Sequence, residues 1–270
     1  MGLSLALLLV TLGAYGTASV LTLLGARRPD YGRWGRKFAA AAFFFHTFLL
    51  VHRGLGERLP FLSLFSWVLV FTWFVVGLYY VALYRSDEGR TASFLWPAIF
   101  FFLLPALFLD RRDVAAPPSF RGYWIWVHLG SSIAAYAIFL LAAVAAVLYV
   151  IEERELRGKF FRPLYRRLPS LESLDERVMG LTGSGFILLA LALLAGSLAA
   201  KLAWGHYWDW DPKEVWTAGS LLIYGLPLLG QSRGWGAPLR IRLSLLGFLS
   251  ISLNLLVVNL FFPGPHRYNF

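Results

Sequence analysis

Residues 180–202 read GLTGSGFILLALALLAGSLAAKL, with Lys201 as the single charge. A run of this length makes a helix of about 34 Å at about 1.5 Å per residue, enough to cross the hydrocarbon of a bilayer. Working outward, the same criterion finds seven more apolar runs: Leu3 to Leu24, Phe38 to His52, Phe61 to Tyr84, Ala92 to Leu109, Tyr123 to Ile151, Glu214 to Gly230 and Leu239 to Phe262. The second and seventh are the shortest. Composition agrees, with 58% hydrophobic, 17% aromatic and only 15% charged residues among 270. The expectation is an all-α polytopic membrane bundle of about eight helices. Soluble enzymes and disordered tails are excluded by this composition, and a β-barrel porin by the lack of alternating ten-residue strands.

The net charge of +10 would point to nucleic acid in a soluble protein, but its distribution is topological. Loops after the first, third, fifth and seventh runs, with Arg240 and Arg242 at the start of the eighth run, hold 17 Lys and Arg; the remaining loops and the C-terminal tail, with Lys201 at the end of the sixth run, hold 8. By the positive-inside rule the first set is cytoplasmic, which places both termini outside and leaves no nucleic-acid partner to invoke. The first run lacks a basic leader and a cleavage site and reads as a retained helix. Cysteine is absent, so the chain has no thiol chemistry and no C-x-x-C-H attachment motif of its own. Between the fifth and sixth runs, Leu171, Leu174, Val178 and Leu181 recur at helical spacing, with Ser173 and Glu176 as a capping box. These predict a short amphipathic interfacial helix leading into the sixth span.

Directly after the opening run comes Trp204-Gly205-His206-Tyr207-Trp208-Asp209-Trp210-Asp211-Pro212-Lys213-Glu214-Val215-Trp216, on the outer side by the charge count. An interfacial aromatic belt accounts for the rings but not for the acids beside them. Asp211, Pro212 and Glu214 are the residues that start a helix, as N-cap, first position and third position. What remains is an aromatic shelf on a capped helix entrance, with Gly205 permitting close backbone approach. A belt and a seat for a flat apolar ligand both fit this pattern.

Five histidines accompany it. His128 lies near the outer start of the fifth run and His266 beyond the outer end of the eighth, so both reach the face that carries the tryptophans. Neutral imidazole is a good axial ligand for haem iron, and a pair could grip it from both sides. A histidine at a helix end is equally an interfacial residue. His46 lies six residues, about 9 Å of rise, deeper than His52. At that depth a polar side chain is costly, and it either ligates a second group, marks a transit site or bonds a neighbouring helix. His52 and His206 read as interfacial, with His206 a reserve ligand.

The string W-G-H-Y-W-D-W-D-P-K-E-V-W resembles the WWD signature of haem-handling membrane proteins of cytochrome c assembly, in the CcmC/CcmF/CcsA superfamily and nearest its CcsA and HemX branches. The similarity continues through Leu168-Pro169-Ser170-Leu171-Glu172-Ser173-Leu174, Trp126-Val127-His128, Ala135-Tyr136-Ala137, Val258-Asn259-Leu260 and Gly264-Pro265-His266-Arg267-Tyr268. It covers residues 123–270 well, whereas residues 1–122 match in hydropathy and in His46.

This resemblance implies a four-helix N-terminal region (1–122) and a haem-handling core (123–270) within one membrane domain. It implies that the protein presents haem b on the outer face for attachment to the C-x-x-C-H segment of apocytochrome c, as the haem-handling part of a haem lyase. His128 and His266 become the axial ligands, and Trp204, Gly205, Tyr207, Trp208, Trp210, Asp211, Trp216 and His46 the cofactor-binding residues. Haem, apocytochrome c, a CcsB-like membrane subunit and membrane lipid become the partners, and the bacterial cytoplasmic membrane the location. No residue is assigned a catalytic role. Ligating members carry a histidine in the helix after the loop, near Leu228 to Gln231, and this chain has none. The alternative implied is therefore a HemX-like haem-binding regulator of haem biosynthesis. A transporter without haem is disfavoured by the scarcity of intramembrane charge.

Overall fold

The computed structural model describes residues 2–25, 28–54, 63–83, 92–109, 122–158 and 169–255. All their regular elements are helical: α1 (Gly2–Leu24), α2 (Pro29–Gly54), α3 (Leu64–Leu78) with a π turn (Tyr79–Leu83), and α4 (Ala92–Leu103) with a 3-10 turn (Leu104–Leu107). These are followed by α5 (Tyr123–Gly158), α6 (Leu171–Trp204), α7 (Pro212–Ser232) and α8 (Ala237–Leu253). Among the described residues α1, α5 and α6 are long and apolar enough to cross a bilayer alone, and α3 and α4 are shorter apolar helices. The protein is an integral membrane protein of all-α class. The two runs that looked short are full helices, α2 having 26 residues and α7 having 21. Asp30 in its first turn suits the early start of α2, because an acid there complements the helix dipole.

The short helix expected before the sixth span is not separate. Its residues Leu171 to Leu181 form the first turns of the 34-residue α6, and the cap is Ser170, whose hydroxyl accepts from the Ser173 amide at 3.3 Å. Periodicity reports which face is buried, and a helix can change surroundings along its length without interrupting its backbone.

The chain forms two compact units, one of residues 1–116 with 154–169 and 269–270, the other of residues 117–153 with 170–268. In the N-terminal unit α1 and α2 approach closely, since a Cβ on Gly35 would stand 2.6 Å from Cγ2 of Thr22. Stacking of Phe43 on Trp73 at 5.7 Å, and a 2.8 Å bond from the Trp73 indole to Thr47, tie α2 to α3.

The core of the C-terminal unit is a parallel stack of Phe139 on Tyr224 at 3.7 Å, surrounded by Ala135, Leu189 and Ile251. Two glycines make room for it: a Cβ on Gly185 would come within 2.5 Å of Phe139, and one on Gly247 within 2.7 Å of Tyr224. Apolar surface gives little drive for helix association in lipid, so small residues and hydrogen bonds between helices carry more of it. Thr182 meets Ser244 at 3.3 Å, Ser220 meets Ser250 at 2.7 Å, and Asn254 donates to Thr217 at 2.9 Å. Arg240 joins α8 to Asp175 of α6 at 2.6 Å, with both side chains mostly covered.

Candidate functional site

In the C-terminal unit the tryptophan loop hangs between two well-made helix ends. α6 stops because Gly205 takes the left-handed conformation, φ 88°, and returns its amide to the Lys201 carbonyl at 3.0 Å. Lys201 closes the turn from the other side: its Nζ donates to the Gly205 carbonyl at 2.7 Å and lies 5.3 Å from the Tyr207 ring centre. A cation over an aromatic face holds that ring in place.

α7 starts as the sequence indicated, with Asp211 as N-cap accepting from the Lys213 amide at 2.8 Å and Pro212 at the first position. Glu214 reaches further back than a capping box does, accepting from the Asp209 amide at 3.0 Å. Lys213 stands one residue before the apolar run that begins at Glu214. Burial lowers the pKa of its ammonium to about 8, and the neighbouring Asp211 opposes the shift.

Between these ends Trp210 has φ 57°, the one non-glycine residue at positive φ among those described. A bulky side chain seldom adopts that conformation, and here it turns the indole outward to 78% exposure. Trp208 meets it edge-on at 6.1 Å and is half-buried. Trp204 and Tyr207 are exposed, and Trp216 is fixed by donating from its indole to the Ser250 carbonyl at 2.9 Å. Nε1 of Trp208 and Nδ1 of His206 are covered and have no hydrogen-bond partner among the described residues.

His128, in the second turn of α5, joins this region from a third helix. Its Nδ1–H donates to the Ala192 carbonyl of α6 at 2.7 Å, which fixes the tautomer and leaves Nε2 with the lone pair. The contact exists because position 196 is glycine: a Cβ there would stand 2.7 Å from Nδ1. Lys213 lies within electrostatic reach of the same ring. Thus α5 and α6 orient the His128 imidazole within electrostatic reach of Lys213, at the start of α7 where the aromatic loop ends. Orientation of a ligating imidazole by a carbonyl on its second nitrogen is the usual arrangement at iron and zinc sites.

Of the residues marked in the sequence, His128, Trp204, Gly205, Tyr207, Trp208, Trp210, Asp211 and Trp216 all belong to this unit. Gly205 and Asp211 serve the loop's backbone, one ending α6 and the other starting α7. His266 lies outside the described residues. His46, expected among the cofactor-binding residues, is in the other unit and fully buried, with the Tyr15 ring edge-on to it at 6.1 Å. Sequence reading missed Ala192, Gly196, Lys201 and Lys213. Only Lys213 carried a signal, as the cation inside the D-P-K-E string.

A family model described as cytochrome C assembly protein matches residues 34–266. Among curated relatives, the cytochrome c biogenesis protein CcsA of Chlamydomonas reinhardtii is 27% identical over 230 residues, covering 82% of this chain and 64% of that protein. The CcsA of Guillardia theta is 28% identical over 234 residues, covering 77% and 76%. That of Parasynechococcus marenigrum is 30% identical over 191 residues, covering 62% and 61%. The chain belongs to the cytochrome c assembly protein family.

Proposed function

We propose that this member of the cytochrome c assembly family binds haem b at the tryptophan loop of its C-terminal unit and presents it, outside the membrane, to apocytochrome c. The observation that carries the reading is His128: anchored through Nδ1 on Ala192, cleared by Gly196, left with Nε2 as a free donor atom, and within electrostatic reach of Lys213 at the end of the aromatic loop. The donor set fits haem, since imidazole ligates the iron and flat apolar rings suit the macrocycle.

In this reading His128 and His266 are the residues that would hold the iron. Trp204, Tyr207, Trp208, Trp210 and Trp216 supply the aromatic surface, and Gly205 and Asp211 hold the loop's two ends. Haem supplies the vinyl groups to which the cysteines of a C-x-x-C-H segment add. The chain's own part is orientation: the Ala192 carbonyl aims the imidazole, Lys201 fixes Tyr207, and the strained Trp210 stands outward where an incoming peptide would meet it. The loop and both termini face the periplasmic or extracellular side of a bacterial cytoplasmic membrane, and a CcsB-like subunit is the partner that completes a lyase.

One observation favours a second reading, a regulator that binds haem without ligating it. Leu228 to Gln231, where ligating members resembling this chain carry a histidine, hold none. Co-expression with a C-x-x-C-H reporter separates the two. Haem covalently attached to the reporter, and lost with His128→Ala, is the result expected of presentation. Haem-loaded protein with an unmodified reporter, even when a CcsB-like subunit is supplied, overturns presentation in favour of regulation.

A further inference from the structure

The N-terminal unit holds a second group of polar atoms that the outer site does not use. Tyr15 of α1 is its hub: its ring stands edge-on to His46 of α2 at 6.1 Å and stacks on Trp96 of α4 at 6.2 Å. Trp96 in turn meets Tyr79 edge-on at 5.1 Å. Tyr15 and His46 are wholly inaccessible, and Trp96 and Tyr79 are 1% exposed. Yet the Tyr15 hydroxyl, both ring nitrogens of His46 and the Trp96 indole nitrogen have no hydrogen-bond partner among the described residues. The Leu69 backbone is within weak hydrogen-bonding reach of the imidazole, outside the geometry of a full bond, and its carbonyl also accepts from Thr72 at 3.1 Å.

Buried polar atoms left bare carry a desolvation penalty that native proteins rarely sustain, and four in one ring-to-ring cluster is far from the usual pattern. The chemistry of the four atoms defines what would satisfy them. The indole N–H and one imidazole N–H must donate, the other imidazole nitrogen must accept, and the phenol does either. A guest must therefore both accept and donate. Since the two imidazole nitrogens point apart, one molecule cannot serve both.

Size excludes larger occupants. A porphyrin would have to displace rings already in contact, and a bare metal ion would find one imidazole and a phenol, with no group of three or more His, Cys, Asp or Glu side chains placed for a metal among the described residues. We propose that Tyr15, His46 and Trp96 form a buried binding site for neutral, water-sized hydrogen-bonding guests, at least two of them, within the N-terminal unit. Internal waters with two to four polar partners are the general case of such occupancy. His46 is then a hydrated polar residue at membrane depth rather than an iron ligand. This inference stands apart from the outer haem site and survives its failure.

The test uses the full chain in lipid bilayers with histidine labelled by nitrogen-15, and magnetic-resonance transfer from water to the ring nitrogens. The His46 signals are identified by their loss in His46→Gln, and exposed His52 serves as the hydrated reference. The expected result is water transfer to His46 at least half as strong as to His52, reduced at least twofold in Tyr15→Phe. Should that variant fail to fold, Trp96→Phe provides the same reading. No transfer to His46 in the wild type overturns the proposal. So does loss of its signals when haem is added, which would make iron the occupant.

Discussion

The two units each place a histidine among aromatic rings, and they treat it in opposite ways. His128 is half-buried, with one nitrogen tied to a carbonyl and the other left to act. His46 is sealed, with both nitrogens untied and an aromatic partner at its edge. Ligation needs an imidazole whose tautomer and direction are set beforehand, because that work is otherwise done at the expense of binding. His128 meets this condition and His46 does not. Aromatic company alone therefore distinguishes little, and the partner of the second ring nitrogen distinguishes much.

Several changes would break or sharpen this contrast. The largest effect is expected from His128→Ala, which should lower haem affinity by at least about 100-fold in a titration followed at the Soret band. His46→Gln should leave that affinity within about twofold. Equal losses in the two variants would erase the distinction. Gly196→Ala should come next, because the added Cβ forces the His128 ring off the Ala192 carbonyl. Loss of that outer-shell contact should weaken haem binding by about 10- to 100-fold. Retained affinity would mean that the tether is dispensable.

Gly185→Ala acts on the fold beneath the site. Its Cβ would overlap Phe139, and overpacking of this kind costs about 1–3 kcal/mol, to be read from detergent unfolding. Asp211→Ala removes the α7 cap for about 0.5–2 kcal/mol and should loosen the loop, seen as faster proteolysis between residues 205 and 211.

The smallest effect concerns pH. The folded pKa of Lys213 is depressed to about 8 from 10.5, so its charged form carries a penalty at lower pH. Stability should rise as pH climbs from about 8 toward 10.5, and Lys213→Met should flatten that rise. An unchanged slope in the variant would assign the rise to another group.

Much of this arrangement was legible in the amino-acid sequence, for physical reasons that also mark where reading stops. The spans show themselves because the bilayer demands some twenty apolar residues whatever their order. Asp211, Pro212 and Gly205 show themselves because caps are local, satisfied within a few residues of chain. The continuity of α6 upstream of Gly180, from Leu171, did not, since amphipathic periodicity marks a change of surroundings and not a break in the backbone. The packing of Gly185 on Phe139 was hidden because Phe139 is more than forty residues away in the chain. The Ala192 tether and the Gly196 clearance were equally hidden. A backbone carbonyl has no side-chain signature, and a glycine that makes room for a distant ring looks like any other glycine. Trp210 was visible as an aromatic residue but not as a strained one.

In the proposed function His128 would ligate the iron because the fold aims it, and His46 would not. The direct measurement is the reduced-minus-oxidised visible spectrum of the purified full chain, wild type beside His128→Ala and His46→Gln. A bis-histidine b-type spectrum is expected in the wild type, with its loss or shift in His128→Ala and no change in His46→Gln. A wild-type protein that stays colourless after haem is added, or a spectrum that depends on His46 and not on His128, would contradict this reading.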